Sequence, residues 1–455
     1  MSEREFDVVV IGAGPTGEVC AGRLADGGLK VAVVEEHLVG GECSYYACMP
    51  SKALLRPAEL FGETGRVPGV AEAVNGELDT EAALKRRDEV IHDLDDAVQV
   101  PWLEERGIAL VRGAGRLDGE RRVRIGDEML SARRAVVVAT GTGAALPPIE
   151  GLSDAKPWTN RNATTAKRAP DSLVVLGGGP VGVEMAQAWN SLGSTVALIE
   201  GEERLLPREE PFASEQVAEA LRERGVELRL GTRAASVRRE NGTVRVELED
   251  GDPASGEQIL VAVGRVPRTA ELGVDKVGVD PDGYLEVDER FRVGELDWLY
   301  AVGDANGRAL LTHMGKYQGR LAADAILGRK SEPPGPLGGP PRVTFTDPEV
   351  AAVGHTLESA REAGIEGRAV DVKTSGNAGA SFRGRNTTGT SRIVVDEQRG
   401  VLVGATFVGY ATAESLHAAT VAIVGEVPLR RLWHAVPAFP TRSEVWLNLL
   451  EAYGL

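Results

Sequence analysis

The residues most able to do chemistry in this chain are Cys43 and Cys48, two of the three cysteines among 455 residues. They lie five positions apart in a loop that predicts a helix start, so their sulfurs can approach each other. Backbone N–H groups and the helix dipole at such a start favour the thiolate, which lowers the thiol pKa. A structural staple gains most from closing a long loop, and zinc needs four ligands, whereas Cys20 is the one further cysteine. The pair therefore predicts a redox dithiol and no metal site.

Two glycine-rich turns, each between a predicted strand and a predicted helix, indicate nucleotide sites. Gly12 lies 23 positions before Glu35, and Gly177 lies 23 positions before Glu200, so the two units repeat with an offset of 165. Glycines permit a tight turn and a close approach of the backbone to a pyrophosphate at the helix N-terminus. The glycines expected to line the two sites are Gly12, Gly14 and Gly17 in the first copy and Gly177, Gly179 and Gly182 in the second.

The residues around the turns refine this prediction. Pro15 and Pro180 fit the first helical turn, where a missing N–H costs nothing. The carboxylate that ends each following strand is expected to accept a hydrogen bond from a ribose hydroxyl. Glu200 would repel the extra phosphate of NADP, so NADH is favoured, although Arg204 and Arg208 leave a phosphate clamp open.

Composition and charge limit the possible partners. Hydrophobic residues make up 42% of the chain and charged residues 26%, as in an ordinary globular protein, and the length suits roughly three domains of about 150 residues. The net charge of -17 argues against nucleic acid and anionic membrane, so a small-molecule or protein partner is expected. The sequence shows neither a leader pattern nor a long apolar run, which predicts a cytoplasmic protein. In that reducing setting a cysteine pair is more often catalytic than structural.

Further motifs follow in a fixed order, and with the cysteines and glycine turns they resemble the class I pyridine nucleotide-disulfide oxidoreductases. This is the flavoprotein family of dihydrolipoamide dehydrogenase, glutathione reductase and mercuric reductase. The motifs are Gly40-Gly41-Glu42-Cys43, Ala139-Thr140-Gly141, Val263-Gly264-Arg265, Tyr300-Ala301-Val302-Gly303-Asp304, Phe345-Thr346-Asp347-Pro348-Glu349 and Pro440-Thr441-Arg442-Ser443-Glu444.

The resemblance implies FAD in the first site, held in part by Glu35 and Asp304, and a nicotinamide nucleotide in the second. It implies that Cys48 is the flavin-proximal sulfur and that Cys43 exchanges with substrate. It pairs Lys52 with Glu184 near the flavin, where a buried lysine needs an anionic partner. Other cofactor-binding positions implied by the family motifs are Gly41, Lys52, Thr140, Gly141, Gly264 and Gly303.

The same resemblance implies an α/β architecture with two Rossmann-like dinucleotide-binding domains and an α+β C-terminal dimerisation domain. The FAD-binding domain is expected at 1–150 and 270–332, with the NAD(P)-binding domain inserted at 151–269. Residues 333–341 are too rich in proline and glycine for a helix or central strand and predict a linker. The last domain, 342–455, is expected to form a homodimer and to supply catalytic residues to the partner's cysteines.

One position departs from the family pattern. Dithiol chemistry needs a proton acceptor, and the family uses a histidine that opens a His-Pro-Thr-x-Ser-Glu segment. Here Phe439 occupies that position. Glu444 is either functional or the last residue of a capping box that starts a helix. Neither other histidine convincingly replaces the base, because His313 is expected to be structural or close to a cofactor and His434 to be a surface or satisfied core group.

Three functions remain open at this point. The first is FAD-dependent electron transfer between NAD(P)H and a thiol or disulfide through Cys43 and Cys48, as in dihydrolipoamide dehydrogenase. The second, favoured by Phe439, is NAD(P)H-dependent reduction of quinones, metal ions or a thioether, as in 2-ketopropyl-coenzyme M oxidoreductase/carboxylase. The third is a flavoprotein scaffold, which would need neither the cysteine pair nor a second nucleotide site.

Overall fold

The computed structural model describes residues 2–330, 338–385 and 387–455. The chain divides into two compact units. The described parts of the first unit are 2–50, 87–145 and 264–330, and those of the second are 51–86, 146–263, 338–385 and 387–455.

The strands supply one mixed sheet and a small ribbon in the first unit and three sheets in the second. Within the described residues they are β1 (Ser2–Ile11), β2 (Val31–Glu35), β3 (Ala109–Arg112), β4 (Arg116–Leu117), β5 (Arg122–Ile125), β6 (Glu128–Val138), β7 (Thr142–Ala144), β8 (Ser172–Leu176), β9 (Thr195–Glu200), β10 (Glu227–Leu230), β11 (Ala234–Glu240), β12 (Thr243–Leu248), β13 (Ala254–Gly256), β14 (Gln258–Val261), β15 (Arg265–Pro267), β16 (Leu299–Ala301), β17 (Arg342–Thr344), β18 (Glu349–Gly354), β19 (Gly367–Lys373), β20 (Thr390–Asp396) and β21 (Val401–Gly409).

Helices alternate with strands along much of the chain. Within the described residues they are α1 (Pro15–Asp26), α2 (Gly41–Tyr45), α3 (Cys48–Arg66), α4 (Thr80–Val90), α5 (Val100–Glu104), α6 (Asn160–Thr165), α7 (Pro180–Ser191), α8 (Pro211–Glu223), α9 (Thr312–Ile326), α10 (Leu357–Glu362), α11 (Ala378–Ser381), α12 (Leu416–Val424), α13 (Leu429–Leu432) and α14 (Glu444–Tyr453).

The sheet of the first unit has the order β3-β2-β1-β6-β5-β4, with β16 also pairing with β6. Strands β3, β2, β1, β6 and β16 pair in parallel. Val8 and Val10 of β1 join an apolar cluster that includes residues of α1 and α9, while Val9 and Ile11 join a different cluster. Because a parallel strand buried on both faces needs apolar residues at successive positions, the run from Val8 to Ile11 forms the centre of this sheet.

The second unit contains a parallel sheet of order β10-β9-β8-β14 and an antiparallel sheet of order β11-β12-β13. Its C-terminal part is an antiparallel sheet of order β17-β18-β21-β20-β19. Helices α12 and α14 bury Leu416 and Trp446 in one apolar cluster with residues of this sheet. These are the α/β and α+β layers that the sequence predicts, and the predicted fold class is confirmed.

The sequence repeat is also a structural repeat. Val8 of β1 pairs with Val31 of β2, and Leu173 of β8 pairs with Val196 of β9, so both partners are displaced by the same 165 positions. Helices α1 and α7 begin at Pro15 and Pro180, as predicted. The two βαβ units therefore share their register and their helix starts.

The predicted linker falls mostly outside the described residues. Residues 333–337 are among those not described, whereas 338–341 are neither helix nor strand, and β17 begins directly afterwards. In the described part of the chain, no helix is both long and apolar enough to cross a membrane.

Candidate active site

The first glycine turn connects β1 to α1 at the carboxyl end of the parallel strands. Gly12 has φ +104°, and a Cβ at this position would lie 2.4 Å from the carbonyl oxygen of Ala139. A Cβ at Gly17 would lie 1.9 Å from the carbonyl oxygen of Gly12. Gly14 differs, because no heavy atom lies within 4 Å of the place a Cβ would take. Packing within the chain therefore requires the outer glycines, while the middle glycine leaves space at the start of α1, where a pyrophosphate fits.

The second glycine turn has the same arrangement between β8 and α7. A Cβ at Gly177 would lie 2.5 Å from the carbonyl oxygen of Ala262, and one at Gly182 would lie 1.8 Å from that of Gly177. The space beside Gly179 is again open. Both turns thus provide the same cradle for an anion.

The two strand-end carboxylates bind their own turns. Glu35 accepts hydrogen bonds from the backbone N–H groups of Ala13, at 2.7 Å, and His37, at 2.8 Å. Glu200 accepts from the N–H of Gly178 and, at 2.9 Å, from that of Glu202. These contacts fix each carboxylate beside its glycine turn, and the expected bond to a ribose hydroxyl stays a prediction.

Several other predicted cofactor residues of the first unit lie near the start of α1. A Cβ at Gly41 would be 2.9 Å from the Cα of Gly14, and one at Gly303 would be 2.9 Å from the hydroxyl of Thr16. The hydroxyl of Thr140 is buried and has no hydrogen-bond partner among the described residues. A buried hydroxyl of this kind needs a partner, and a bound flavin nucleotide would supply one.

Asp304 lies in a short 3₁₀ turn after β16, where burial raises its pKa above the usual range. The hydroxyl of Thr142 donates to its carboxylate at 2.8 Å, and Arg265 lies 4.0 Å away. Gly141 and Gly264 adopt positive φ angles of 70° and 153° beside the β7–β15 ribbon. The open cradle, the unpartnered Thr140 hydroxyl and the buried Asp304 fit an FAD nucleotide in this unit.

Cys43 lies in α2, and Cys48 begins α3. The two thiols are in hydrogen-bond contact, and Cys48 Sγ lies 3.3 Å from the hydroxyl oxygen of Thr312. The hydrogen bond to Cys48, and then burial, raise the pKa of the Cys43 thiol. The predicted lowering of the pKa is therefore wrong for Cys43, because the contact with the Cys48 sulfur and partial burial both favour the protonated thiol. Cys20 is buried in α1, and burial raises the pKa of its thiol to about 12.

Two contacts around the cysteines were not predicted. Thr312 lies directly before His313, and its hydroxyl is the group that contacts the Cys48 sulfur. Arg268 donates to Glu42 of α2 at 3.1 Å. The position of Thr312 directly before His313 was the available signal, whereas nothing in the local sequence connects Arg268 to a helix 226 residues earlier.

In the second unit, Lys52 and Glu184 form the ion pair that the resemblance implies. Lys52 Nζ lies 2.7 Å from the Glu184 carboxylate, and the Glu184 side chain is 6% exposed. The other oxygen of Glu184 accepts from the backbone N–H of Phe345 at 2.9 Å, and Lys52 also lies 4.7 Å from the Phe345 ring centroid. Glu184 is thus held at both oxygens and keeps the lysine in one place.

At the position where the family has its catalytic histidine, this chain has Phe439. The side chain of Phe439 is 77% exposed in the single chain. The capping-box alternative for Glu444 is wrong, because α14 begins at Glu444, its N-cap is Ser443, and no side-chain cap bond forms. Thr441 instead donates to the carbonyl of Ala438. Glu444 accepts at 3.3 Å from the N–H of Gly379 and so binds the start of α11.

Both alternative histidines are exposed. His313 lies in α9, and His434 follows α13, where its backbone N–H donates to the carbonyl of Arg431. In the described residues, no group of three or more His, Cys, Asp and Glu side chains is arranged to hold a metal ion.

Comparison with known proteins identifies the family. A family model described as pyridine nucleotide-disulphide oxidoreductase matches residues 6–319, and the model of its dimerisation domain matches 340–450. The chain belongs to this family. It is therefore a pyridine nucleotide-disulphide oxidoreductase that carries the family's dimerisation domain.

Relatives of this oxidoreductase cover nearly all of its length. Dihydrolipoyl dehydrogenase from Chlamydia muridarum is 31% identical, with 97% of this chain and 95% of the relative aligned. Mercuric reductase from Staphylococcus aureus is 28% identical over 97% of this chain and 81% of its own length. Among solved structures, LpdA from Mycobacterium tuberculosis has a TM-score of 0.87 at 26% identity, with 100% of both chains covered.

Homology establishes the activity class of this pyridine nucleotide-disulphide oxidoreductase. It is an FAD-dependent enzyme that transfers electrons between NAD(P)H and a thiol or disulfide. The role of Cys43 and Cys48 as its redox pair stays a prediction. The quinone, metal-ion and thioether alternative raised by Phe439 is not favoured by these comparisons.

Proposed function

We propose that this protein is an NADH-dependent disulfide oxidoreductase of the dihydrolipoyl dehydrogenase type, acting on a small thiol or disulfide as a homodimer. The observation that carries the proposal is the contact between the Cys43 and Cys48 thiols, with Thr312 against the second sulfur. A pair with this geometry can close to a disulfide and reopen, which is what exchange with a substrate disulfide requires.

Each unit is proposed to bind one of the two cofactors. The predicted FAD-binding residues of the first unit surround the open start of α1, and bound flavin would relay electron pairs between nicotinamide and cysteines. Gly179 and Glu200 of the second unit would hold the nicotinamide nucleotide. The predicted boundaries 1–150 with 270–332, 151–269 and 342–455 are retained as the proposed functional domains.

Within this scheme Lys52 is the charge placed near the flavin, and Glu184 holds it there. A fixed ammonium group favours the anionic form of reduced flavin. Phe439 stands where the family has its proton-accepting histidine, and its side chain cannot exchange protons. The proposed mechanism therefore assigns no proton transfer to this position. Glu444 is proposed to position the segment around Phe439 through its bond to Gly379.

The preference for NADH rests on the charges after β9. Glu200 is fixed beside the second glycine turn, and Glu202 follows it. Arg204, one candidate for a phosphate clamp, donates to the carbonyl oxygens of Glu209 and Pro207 and to the Ser214 hydroxyl. Its guanidinium is therefore already engaged within the chain, and the Glu200 carboxylate ends β9 where NADP would place its phosphate.

Anaerobic titration of the purified enzyme tests the electron route and the cofactor choice together. NADH is expected to deliver two pairs of electrons and to produce a long-wavelength thiolate-to-flavin band, because flavin and dithiol are both reduced. NADPH should bind about tenfold to a hundredfold more weakly, since one to three kcal/mol of like-charge repulsion is expected near Glu200. Uptake of a single pair with direct bleaching would contradict the disulfide route, and equal affinity for NADPH would contradict the assignment of Glu200.

The homodimer is proposed from the dimerisation domain and its surface. Four apolar side chains of this part of the second unit are more than half exposed, and a contact between two copies would cover them. They are Phe382, Val421, Val436 and Phe439. Light scattering is expected to give twice the 48.2 kDa of the chain, and a mass of one chain at micromolar concentration would contradict the proposal. The cytoplasmic location stays a prediction.

A further inference from the structure

A cleft of about 280 Å³ lies on the surface of the first unit, where α1, α9 and the residues after α5 meet. Four of the side chains that line it are arginines, namely Arg23, Arg106, Arg320 and Arg329. Asp26 is the one acidic residue among the described residues that line it. This arginine cleft contains none of the residues assigned above to the dithiol or to the nucleotide sites.

Helix α1 presents one of its faces to the arginine cleft. Val19, Gly22, Arg23 and Asp26 follow the i, i+3, i+4, i+7 spacing of a single helix face. The absence of a side chain at Gly22 lets Trp102 of α5 come close, because a Cβ there would lie 2.6 Å from Cη2 of the indole. Trp102 therefore forms an aromatic wall of the cleft.

The buried carboxylate of Asp324, in α9, holds two of the four guanidinium groups in place. Arg23 donates to its two oxygens at 2.9 and 2.6 Å, and Arg329 donates to it at 3.3 Å. A guanidinium group has five N–H donors, so these bonds fix both arginines and leave donors for a further acceptor. The site is thus partly organised before any ligand binds.

Arg106 is held by Trp102. Its guanidinium lies 4.2 Å from the centroid of the indole ring, and Nη1 donates to the carbonyl oxygen of Trp102 at 3.3 Å. The Nε of Arg106 is buried without a hydrogen-bond partner among the described residues, and Asp26 lies 3.7 Å from it, beyond hydrogen-bond distance. The ring fixes the guanidinium, whose donors are not saturated by the protein.

The positive charge of the cleft is not balanced by carboxylates. Arg320 is exposed on α9, and its guanidinium makes no hydrogen bond or ion pair within the described residues. Four guanidinium groups face the carboxylates of Asp26 and Asp324, so an excess of two positive charges remains. The chain as a whole carries -17, but charges beyond about 8 Å are largely screened at physiological salt, so the local excess decides what binds.

The chemistry of the cleft suits a short phosphate chain. Guanidinium groups bind phosphate oxygens through charge-assisted, often paired hydrogen bonds, and several converging arginines favour a ligand with more than one negative charge. The volume lies just below the range of about 300–1,000 Å³ that small-molecule sites occupy, which favours a compact ligand over a dinucleotide.

We propose that the arginine cleft is a binding site for a small di- or triphosphate. The site is distinct from the first glycine turn, because that turn lies at the start of α1, whereas Arg23 and Asp26 lie at its end. The phosphate oxygens accept hydrogen bonds from the guanidinium groups of Arg106 and Arg320 and from the remaining donors of Arg23 and Arg329.

Isothermal titration of the FAD-loaded enzyme with sodium tripolyphosphate tests this proposal. Saturating NAD⁺ is present, so that neither glycine turn is open to the probe. We expect one site per chain with a Kd below about 1 mM at low salt. The affinity should fall about tenfold when NaCl is raised from about 50 to about 300 mM, because exposed ion pairs are screened.

Variants locate the site. Arg320→Gln and Arg106→Gln should each weaken tripolyphosphate binding at least about tenfold, since each removes charge-assisted hydrogen bonds. Asp26→Asn removes the acidic side chain from the cleft and should strengthen binding about twofold to threefold, a gain that misfolding cannot produce. Arg116→Gln is the matched control, because Arg116 is an exposed arginine of the same unit that pairs with Glu271, and its loss should change the Kd by less than about twofold.

A second probe identifies the source of the phosphate chain. ATP binding as tightly as tripolyphosphate would support a site for the phosphate chain alone, and tighter binding of ATP would support a nucleotide ligand. Citrate carries three carboxylates, and tighter binding of citrate than of tripolyphosphate would overturn the choice of phosphate.

Two further results would overturn the site itself. One is the absence of saturable binding up to about 5 mM tripolyphosphate. The other is an equal Kd in Arg320→Gln, Arg106→Gln and Arg116→Gln. The titration needs no electron transfer, so its outcome is independent of whether the enzyme reduces lipoamide.

Discussion

Cys48→Ser is expected to lose NADH-dependent lipoamide reduction by at least about a thousandfold, because the serine hydroxyl cannot form the Cys43–Cys48 disulfide through which each turnover passes. Cys43 keeps its sulfur in this variant and can still attack a disulfide. The mixed disulfide that results has no second thiol to resolve it, so the enzyme stops after one exchange. Steady-state assays with lipoamide, together with mass spectrometry of trapped Cys43, measure both parts of this expectation.

The third cysteine provides the matched control. Cys20 is buried in α1, and burial raises its thiol pKa to about 12, so it stays protonated at working pH. Cys20→Ala should change lipoamide turnover by less than about twofold, since it removes no group of the redox pair. Wild-type turnover in Cys48→Ser would show that electrons bypass the cysteine pair.

Asp347→Ala is expected to give the largest loss of stability. The Asp347 carboxylate is 7% exposed and binds two guanidinium groups, Arg66 at the end of α3 and Arg224, at 2.6 Å, directly after α8. Removing it leaves two mostly buried positive charges facing each other. Breaking a buried pair costs about 3–5 kcal/mol, and we expect about 3 kcal/mol here because the arginines are about a quarter exposed.

Thermal unfolding measures this effect. The Tm of Asp347→Ala should fall by several degrees. The Tm of Asp347→Asn should fall less, because the asparagine amide oxygen still accepts hydrogen bonds. Glu247→Ala removes an exposed carboxylate 2.7 Å from Arg245 on β12 and should leave the Tm nearly unchanged. Equal Tm values for Asp347→Ala and Glu247→Ala would contradict the stabilising role of the buried carboxylate.

The parts of the site that sequence predicted depend on local backbone geometry. The outer glycines, Pro15 and Pro180 define two strand-turn-helix units. The conformation of each unit depends on interactions within about twenty-five residues of sequence. The proximity of the two cysteines is also a local feature, because a separation of five positions allows their sulfurs to approach each other. Such features can be predicted from one sequence without knowledge of distant contacts.

The features that sequence did not predict depend on burial and on distant partners. The pKa of Cys43 follows from its neighbour and its surroundings, and a helix-start argument gave the wrong direction. The bond from Arg268 to Glu42 joins residues 226 positions apart, and no local pattern in the sequence indicates it.

The shared register of the two βαβ units also has a consequence for the history of the chain. Val8 with Val31 and Leu173 with Val196 preserve the same alignment, and the carboxylates of Glu35 and Glu200 bind equivalent backbone groups. An ancestral gene for one nucleotide-binding unit, duplicated and fused, would produce this correspondence residue by residue. The copies would then have diverged in the cofactor they hold while keeping the inherited backbone.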